Sequence, residues 1–172
     1  MSQPGRRFPN YAFRPVREAD LPLIAGWLAE PHLAQWWGDP ETEVAAIRDH
    51  MSSVSVEPLI VELAGQPIAY LQSYDPHLED DHPYQDQPFG TLGIDVSIGP
   101  AEMVGIGHGS LIVRQFVETL FAEGAPRVII DPHPDNKRAI RAYEKAGFRE
   151  IDRRSTIYGD VVLMAVGNPE GD

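Results

Sequence analysis

The sequence predicts an α/β or α+β fold built around one mixed sheet, on three observations. Short stretches of alternating apolar residues interleave along the chain with longer stretches whose apolar residues recur at helical spacing. The 172 residues, 42% of them hydrophobic, suffice for a single domain with a substantial core. Third, Val104-Gly105-Ile106-Gly107-His108-Gly109 places glycine at alternate positions directly before an apolar run with helical period. The whole chain, 1–172, is expected to be one domain with its core between residues 11 and 166.

Residues 11–16 alternate weakly and predict a first strand. Asp20 is expected to cap a helix in which Pro22 falls in the first turn, where a missing N–H costs nothing. Leu21, Ile24, Ala25 and Leu28 are its buried stripe. Trp36 and Trp37 follow; adjacent residues cannot share a helix face, so at least one tryptophan is expected to line a cleft or stand part-exposed. Aromatic faces stack on sugar rings and attract cations, which makes the pair candidate wall residues. Residues 41–51 predict an amphipathic helix. Residues 59–63 and 67–73, joined at Gly65-Gln66, predict a hairpin.

Residues 74–90 lack an apolar period and carry Asp75, Glu79, Asp80, Asp81 and Asp86 among several prolines. A polar stretch of that length in a compact domain predicts a functional lid rather than a connector. In the strand predicted over 91–98, alternation puts Leu92, Ile94, Val96 and Ile98 on one face and Gly93, Asp95 and Ser97 on the other. An aspartate in mid-strand is costly unless paired or functional, so Asp95 is a candidate site residue.

The glycines after it let the backbone turn sharply and approach a ligand closely. The helix behind them, over 110–121, begins with N–H groups that have no intrahelical partner. With the helix dipole these suit an anion such as phosphate. Residues 127–131 predict the next strand, and Pro132-His133-Pro134 breaks it. Asp135 is expected to cap a helix running to Ala146, which Gly147 closes in the left-handed conformation. Residues 148–156 and 161–166 predict a last hairpin across Tyr158-Gly159-Asp160. Residues 1–10 and 167–172 read as loose tails.

The formal charge is −12, from 26 acidic and 14 basic residues. That balance disfavours nucleic-acid binding, which needs a basic face, and would attract a polycationic small molecule. No apolar run approaches the roughly 18 residues of a membrane span, and no secretory signal is visible, so no membrane partner is expected. The absence of cysteine removes disulfides, thiolate metal sites and cysteine nucleophiles and accords with a cytoplasmic location.

Three stretches in order resemble the GCN5-related N-acetyltransferase (GNAT) superfamily: the strand at 92–98, the Gly-rich turn with its helix, and the segment 136–148. The last matches an N-x-x-A-x-x-x-Y-x-x-x-G-F signature through Asn136, Ala139, Tyr143, Gly147 and Phe148. Trp36-Trp37-Gly38, Gln72-Ser73-Tyr74, Gly93-Ile94-Asp95 and the Asp131-to-Asn136 stretch further resemble aminoglycoside 6′-N-acetyltransferases. The resemblance spans residues 13–166.

It implies a GNAT fold, a mixed and mostly antiparallel central sheet with splayed strands flanked by helices. It also implies acetyl-CoA as co-substrate, with no metal. The pyrophosphate would sit on the turn formed by Val104, Gly105, Ile106, Gly107, His108, Gly109 and Ser110. The pantetheine arm would run beside the end of the strand at Ile98, bonded by Asn136, with Arg138 available to phosphate. Most relatives carry Gln or Arg where this chain has Val104, so backbone amides are expected to supply the anion contact. Tyr143 is implied as the acid that protonates the departing thiolate, and Asp95 as base and amine anchor. Trp36, Trp37, Gln72, Tyr74, Asp95 and Asp131 would form the site for a cationic acceptor, an aminoglycoside. A monomer or weak homodimer is expected.

Alternatives remain at this level. A siderophore hydroxylysine N-acyltransferase would call for a histidine base, for which His32 and His77 are candidates outside the signature strand. A non-catalytic sensor that binds CoA or a cation, and a protein N-acetyltransferase, are further possibilities.

Overall fold

The computed structural model describes residues 9–170. It contains strands β1 (Tyr11–Pro15), β2 (Val56–Leu63), β3 (Gln66–Tyr74), β4 (Leu92–Ile98), β5 (Arg127–Ile130), β6 (Arg149–Thr156) and β7 (Gly159–Gly167). Its helices are α1 (Leu21–Leu28), α2 (Pro31–Ala34), α3 (Pro40–His50), α4 (His108–Ala122) and α5 (Lys137–Lys145). The strands form one sheet in the order β1-β2-β3-β4-β5-β7-β6. All neighbours are antiparallel except β4 and β5. The mixed, mostly antiparallel sheet flanked by helices is therefore as expected.

Alternation along the strands sorts side chains to two faces. Ile94, Val128, Ile130, Val162 and Met164 join α4 and α5 in the principal core, and Leu92, Val96 and Ile98 pack against it. The opposite face is covered in two halves. Leu21, Ile24, Trp27, Leu28 and Ile47 of α1 and α3 cover Ile60 and Tyr70. Farther along, Ile129, Leu163 and Ala165 are covered by Tyr84, which belongs to the loop of residues 75–91. That loop is no free lid. It takes the place of a helix over the second face, and the bidentate Arg154–Asp86 pair and an Arg127–Gln87 bond fasten it to β6 and β5.

Several local expectations are corrected. Asp20 does not cap α1 with its side chain; its carboxylate accepts from the Arg17 N–H at 2.7 Å and from both Arg14 Nη atoms at 2.7 and 2.9 Å. The charge-assisted fork outcompetes a neutral cap. The cap of α5 is Asn136, whose Oδ1 accepts from Ala139 N at 3.2 Å, while Asp135 is held one step earlier by its N–H to His133 Nδ1. The β2–β3 turn is centred on Ala64 and Gly65, at φ 50 and 80, rather than on Gly65-Gln66. Asn168, expected in a loose tail, donates through Nδ2 to the carbonyls of Phe121 and Ala125. Of the other expected tail, residues 1–8 lie outside the described residues.

Candidate active site

The parallel pairing of β4 with β5 sets up the site. Only Leu92↔Val128 and Gly93↔Ile129 are in register; beyond Gly93 the two strands part. A wedge opens between them, and the Gly-rich turn and the start of α4 lie at its outer end. Gly107 is the left-handed N-cap of α4 at φ 99, and Gly105 stands at φ 78. A side chain is strained at both positions, which is why glycine recurs there. The turn leaves the first-turn N–H groups of α4 without intrahelical partners, and Gly107, Gly109 and Ser110 line the groove.

This groove, about 650 Å³, is lined by Ile98, Val104, Gly105, Gly107, Gly109, Ser110, Asn136, Arg138 and Tyr143, all foreseen on the cofactor side. Ile106 and His108 were foreseen there too, but their side chains point elsewhere. Ile106 is 66% exposed outside the lining, and the His108 ring bonds through Nδ1 to the Tyr11 hydroxyl at 2.7 Å. At the inner end His32 Nε2 bonds the Ile98 carbonyl at 2.9 Å; a carbonyl only accepts, so Nε2 carries the proton. Four cations, Lys137, Arg138, Arg141 and Lys145, line the groove against one carboxylate, Asp135.

A second cleft of about 870 Å³ adjoins the first. Gln35, Trp36, Trp37, Val96, Asn136, Ala139 and Tyr143 line both spaces, so the two meet at the tryptophan pair and the Tyr143 phenol. Trp36 lies over the His133 ring at 5.6 Å between centroids, and Trp37 meets the edge of Tyr70 at 6.3 Å. Both tryptophans are therefore wall residues. Here the ionisable lining inverts: Glu43, Glu79, Asp95, Asp131 and Asp160 are present with no lysine or arginine.

All the foreseen acceptor residues, Trp36, Trp37, Gln72, Tyr74, Asp95 and Asp131, line this cleft. At its floor a chain of donors converges on two carboxylates. Tyr70 OH donates to Gln72 Oε1 at 2.7 Å, and Gln72 Nε2 donates to Asp95 Oδ2 at 2.9 Å. From the other side Tyr84 OH donates to Asp131 Oδ2 at 2.5 Å. Burial raises the pKa of Asp95 above the usual carboxylate range, against the lowering effect of the Gln72 bond. Burial and the neighbouring Asp95 charge hold Asp131 up at about 7. Near neutrality the pair thus tends to retain a proton, as two adjacent buried carboxylates do.

Gly93 makes room for the Tyr74 side of this cleft. A Cβ built there would lie 2.0 Å from Cζ of Tyr74, whose ring crosses the strand at that point. Tyr143 is 8% exposed, and burial, then Asp95 and Asp131, raise its pKa. It stays protonated throughout the neutral range. Asn136 spends Oδ1 on its cap and keeps its amide hydrogens as donors toward the groove.

Sequence reasoning missed Tyr84, Glu79, His82, Asp160 and Tyr158, which also line the acidic cleft. The signal for Tyr84 was its presence as a large aromatic in an otherwise polar stretch, since such a side chain seeks burial with its hydroxyl paired. His82 lies within 6.0 Å, centroid to centroid, of Tyr74, Tyr84 and Tyr158, and burial lowers its pKa.

Cations gathered at a helix start beside a splayed strand, and carboxylates across a shared junction, suit transfer from an anionic carrier to a cationic acceptor. The family model described as Acetyltransferase (GNAT) domain matches residues 16–156, and the chain belongs to this acetyltransferase family. Among named relatives, it is 36% identical to the aminoglycoside N(6′)-acetyltransferase type 1 of Klebsiella pneumoniae over 164 residues, 90% of this chain and 82% of that protein. It is 30% identical over 171 residues to the lysine N-acyltransferase MbtK of Mycolicibacterium paratuberculosis, 95% of this chain and 76% of that protein. Among solved structures, AAC(6′)-Ib in complex with ribostamycin and coenzyme A is similar with a TM-score of 0.83 and 34% identity, over 91% of this chain and 93% of that chain.

Proposed function

We propose that this protein transfers the acetyl group of acetyl-CoA to the 6′-amine of an aminoglycoside. The observation that carries this proposal is the separation of charge across one junction: a groove with four cations meets a cleft with five carboxylates and no lysine or arginine. Coenzyme A is a polyphosphate and an aminoglycoside a polyamine sugar, so each has one half of the site that attracts it. The likeness to the Klebsiella enzyme and to AAC(6′)-Ib points the same way.

In this proposal the amides of the Gly-rich turn hold the pyrophosphate, assisted by Arg138, and Asn136 donates to the pantetheine arm. Trp36 and Trp37 stack on the acceptor sugar. Asp95 binds the reacting ammonium, takes its proton directly or through water, and leaves a neutral amine to attack the thioester carbon. The tetrahedral intermediate then collapses, the C–S bond breaks, and Tyr143 delivers its proton to the departing sulfur; the second proton of the attacking nitrogen leaves as the amide forms and restores the Tyr143 phenol, directly or through water. Asp131 binds a neighbouring ammonium of the acceptor. Two positive charges arriving together favour ionisation of both carboxylates, so binding itself prepares the base. We place this activity in the cytoplasm, where acetyl-CoA is made, and in a monomer or weak homodimer; among the described residues no helix is long and apolar enough to cross a membrane.

A second proposal, acylation of a hydroxylated lysine, draws on the MbtK relative. The residues count against it. The mid-strand position holds Asp95, the His32 Nε2 proton is committed to the Ile98 carbonyl, and His77 Nε2 bonds the carbonyls of Gln85 and Gln87. The test is thiol release from acetyl-CoA with kanamycin, tobramycin, a hydroxylated lysine and an N-terminal peptide as acceptors, followed by NMR of the product. Release with kanamycin and an acetyl group on N-6′ is expected. Release with the lysine alone would establish the second proposal, and CoA binding without release to any acceptor would identify a sensor.

A further inference from the structure

Tyr84 is 1% exposed in the middle of the 75–91 loop. Its ring covers Ile129, Leu163 and Ala165 of the sheet. A phenyl ring would fill that place as well, so the hydroxyl needs its own explanation. It reaches Asp131 Oδ2 at 2.5 Å, the one side-chain donor bonded to that carboxylate among the described residues. The loop is tied down on both sides of this contact. Before Tyr84, the Pro83 carbonyl accepts from Arg154 Nη1 at 3.0 Å. After it, Asp86 forms a two-point pair with Arg154 at 3.0 and 2.6 Å, and Gln87 Oε1 accepts from Arg127 at 2.9 Å. Arg154 itself lies over the Tyr84 ring, 5.7 Å from its centroid. Such fastening fixes a side chain to the tolerance that a reacting site requires.

We propose that Tyr84 is a positioning residue for acetyl transfer: its hydroxyl holds the Asp131 carboxylate beside Asp95, so that the two form one fixed anionic seat for the acceptor's amines. The proposal rests on the acetyl-transfer function proposed above. The seat has matching supports on its two sides. Gln72, itself fixed by Tyr70, holds Asp95, and Tyr84, fixed by Arg154, holds Asp131. Because the phenol donates, it favours the ionised form of Asp131, the form that binds an ammonium. The other titratable groups lining this cleft are Glu43 and His50 from α3, Tyr74 from β3, Glu79 and His82 from the loop, His133 after β5, Tyr143 from α5, Tyr158 from the last turn and Asp160 from β7. None of these donates a hydrogen bond to Asp131.

The experiment uses the full chain and Tyr84→Phe, which keeps the buried ring. Carboxyl ¹³C NMR of the acceptor-free protein follows the titration of Asp95 and Asp131. Loss of the donor should move the midpoint of the pair upward by about one pH unit. With kanamycin, kcat/KM for the acceptor should fall about tenfold, its acidic limb moving up with the NMR midpoint, while KM for acetyl-CoA stays within twofold. Arg154→Met, which frees the loop without touching the seat, should shift both readouts in the same direction but less. Unchanged titration and unchanged acceptor kcat/KM in Tyr84→Phe would overturn the proposal. So would a lowered Tm with no shift in titration, the signature of a merely structural tyrosine. The NMR arm needs no acceptor, so a wild-type protein that acetylates nothing would refute the proposed function while Tyr84 is still judged on its titration.

Discussion

Asp131→Asn should make the acceptor-free protein more stable at pH 8 and inactive toward aminoglycosides. In the folded protein the Asp131 pKa is raised from 3.8 to about 7 by burial and the neighbouring Asp95. A raised carboxyl contributes stability below its unfolded value, where both states hold the proton, and loses it as pH rises through the folded value. The loss therefore accumulates between about pH 4 and pH 7. A rise of about three units corresponds to about 4 kcal/mol at the extreme. The cleft opens to water and the pair shares its proton, so about 2 kcal/mol is expected. For a chain of this length that is a rise in Tm of about 4–8 °C.

Asparagine is suited to the position. Its Oδ1 can accept from Tyr84 OH as Asp131 Oδ2 does at 2.5 Å, and its amide can donate toward Asp95. Thermal unfolding of the two proteins at pH 4 and pH 8 measures the effect. A gain at pH 8 that vanishes at pH 4 supports the account. An equal gain at both pH values would trace the effect to packing, and no gain at pH 8 would refute the strain assigned to the pair.

Asp95→Asn should lower acceptor kcat/KM by about 100-fold, the range of a lost general base, with CoA affinity within twofold by calorimetry; near-wild-type turnover would remove Asp95 from the chemistry. The same change removes the charge that helps to raise Asp131, so the Asp131 midpoint should fall. Tyr143→Phe should lower kcat at least tenfold with little change in acceptor KM, and an unaltered kcat would mean that water protonates the thiolate. Gly93→Ala places a methyl where Tyr74 Cζ would be 2.0 Å away, so the ring must move. The expected cost is about 1–3 kcal/mol in denaturant unfolding together with a raised acceptor KM, and an unchanged KM would show that Tyr74 does not shape the cleft.

Much of this site was legible because its parts obey local periodicities. Alternation over β4 separated Asp95 from Leu92, Ile94, Val96 and Ile98, and those four do pack against the principal core. The glycines of the turn pointed to an anion site, and they do line a groove that holds four cations, yet the direction of individual side chains was beyond reach. His108 turns to Tyr11, 97 positions earlier in the chain, a pairing no window reveals. The caps failed for a similar reason. The Asp20 carboxylate is claimed by Arg14 of β1, and α5 begins one residue later than Asp135 suggested, so that Asn136 Oδ1 takes the Ala139 N–H while only the Asp135 backbone N–H is used, by the His133 ring. The stretch over 74–90 was read least fully. Its polar composition suggested a functional lid but not its fastening: Asp86 is spent on Arg154, and Tyr84 is buried across 47 positions against Asp131.

The miss follows from what the loop does. α1 and α3 cover the second sheet face only over Ile60 and Tyr70, and a further helix over Ile129, Leu163 and Ala165 would close off the space above Asp95 and Asp131. A loop can cover the apolar half with one tyrosine, leave the polar half open, and bring a hydroxyl to the carboxylate at the boundary. Such a segment needs neither helical nor strand period, so its sequence carries neither. The same geometry gives the acidic pair a use that offsets its cost in stability. The converging donors Gln72 and Tyr84 keep two buried carboxylates fixed and close, and the free energy released when a polycation arrives is available for binding. Removing that cost, as Asp131→Asn does, should therefore remove acceptor affinity along with it.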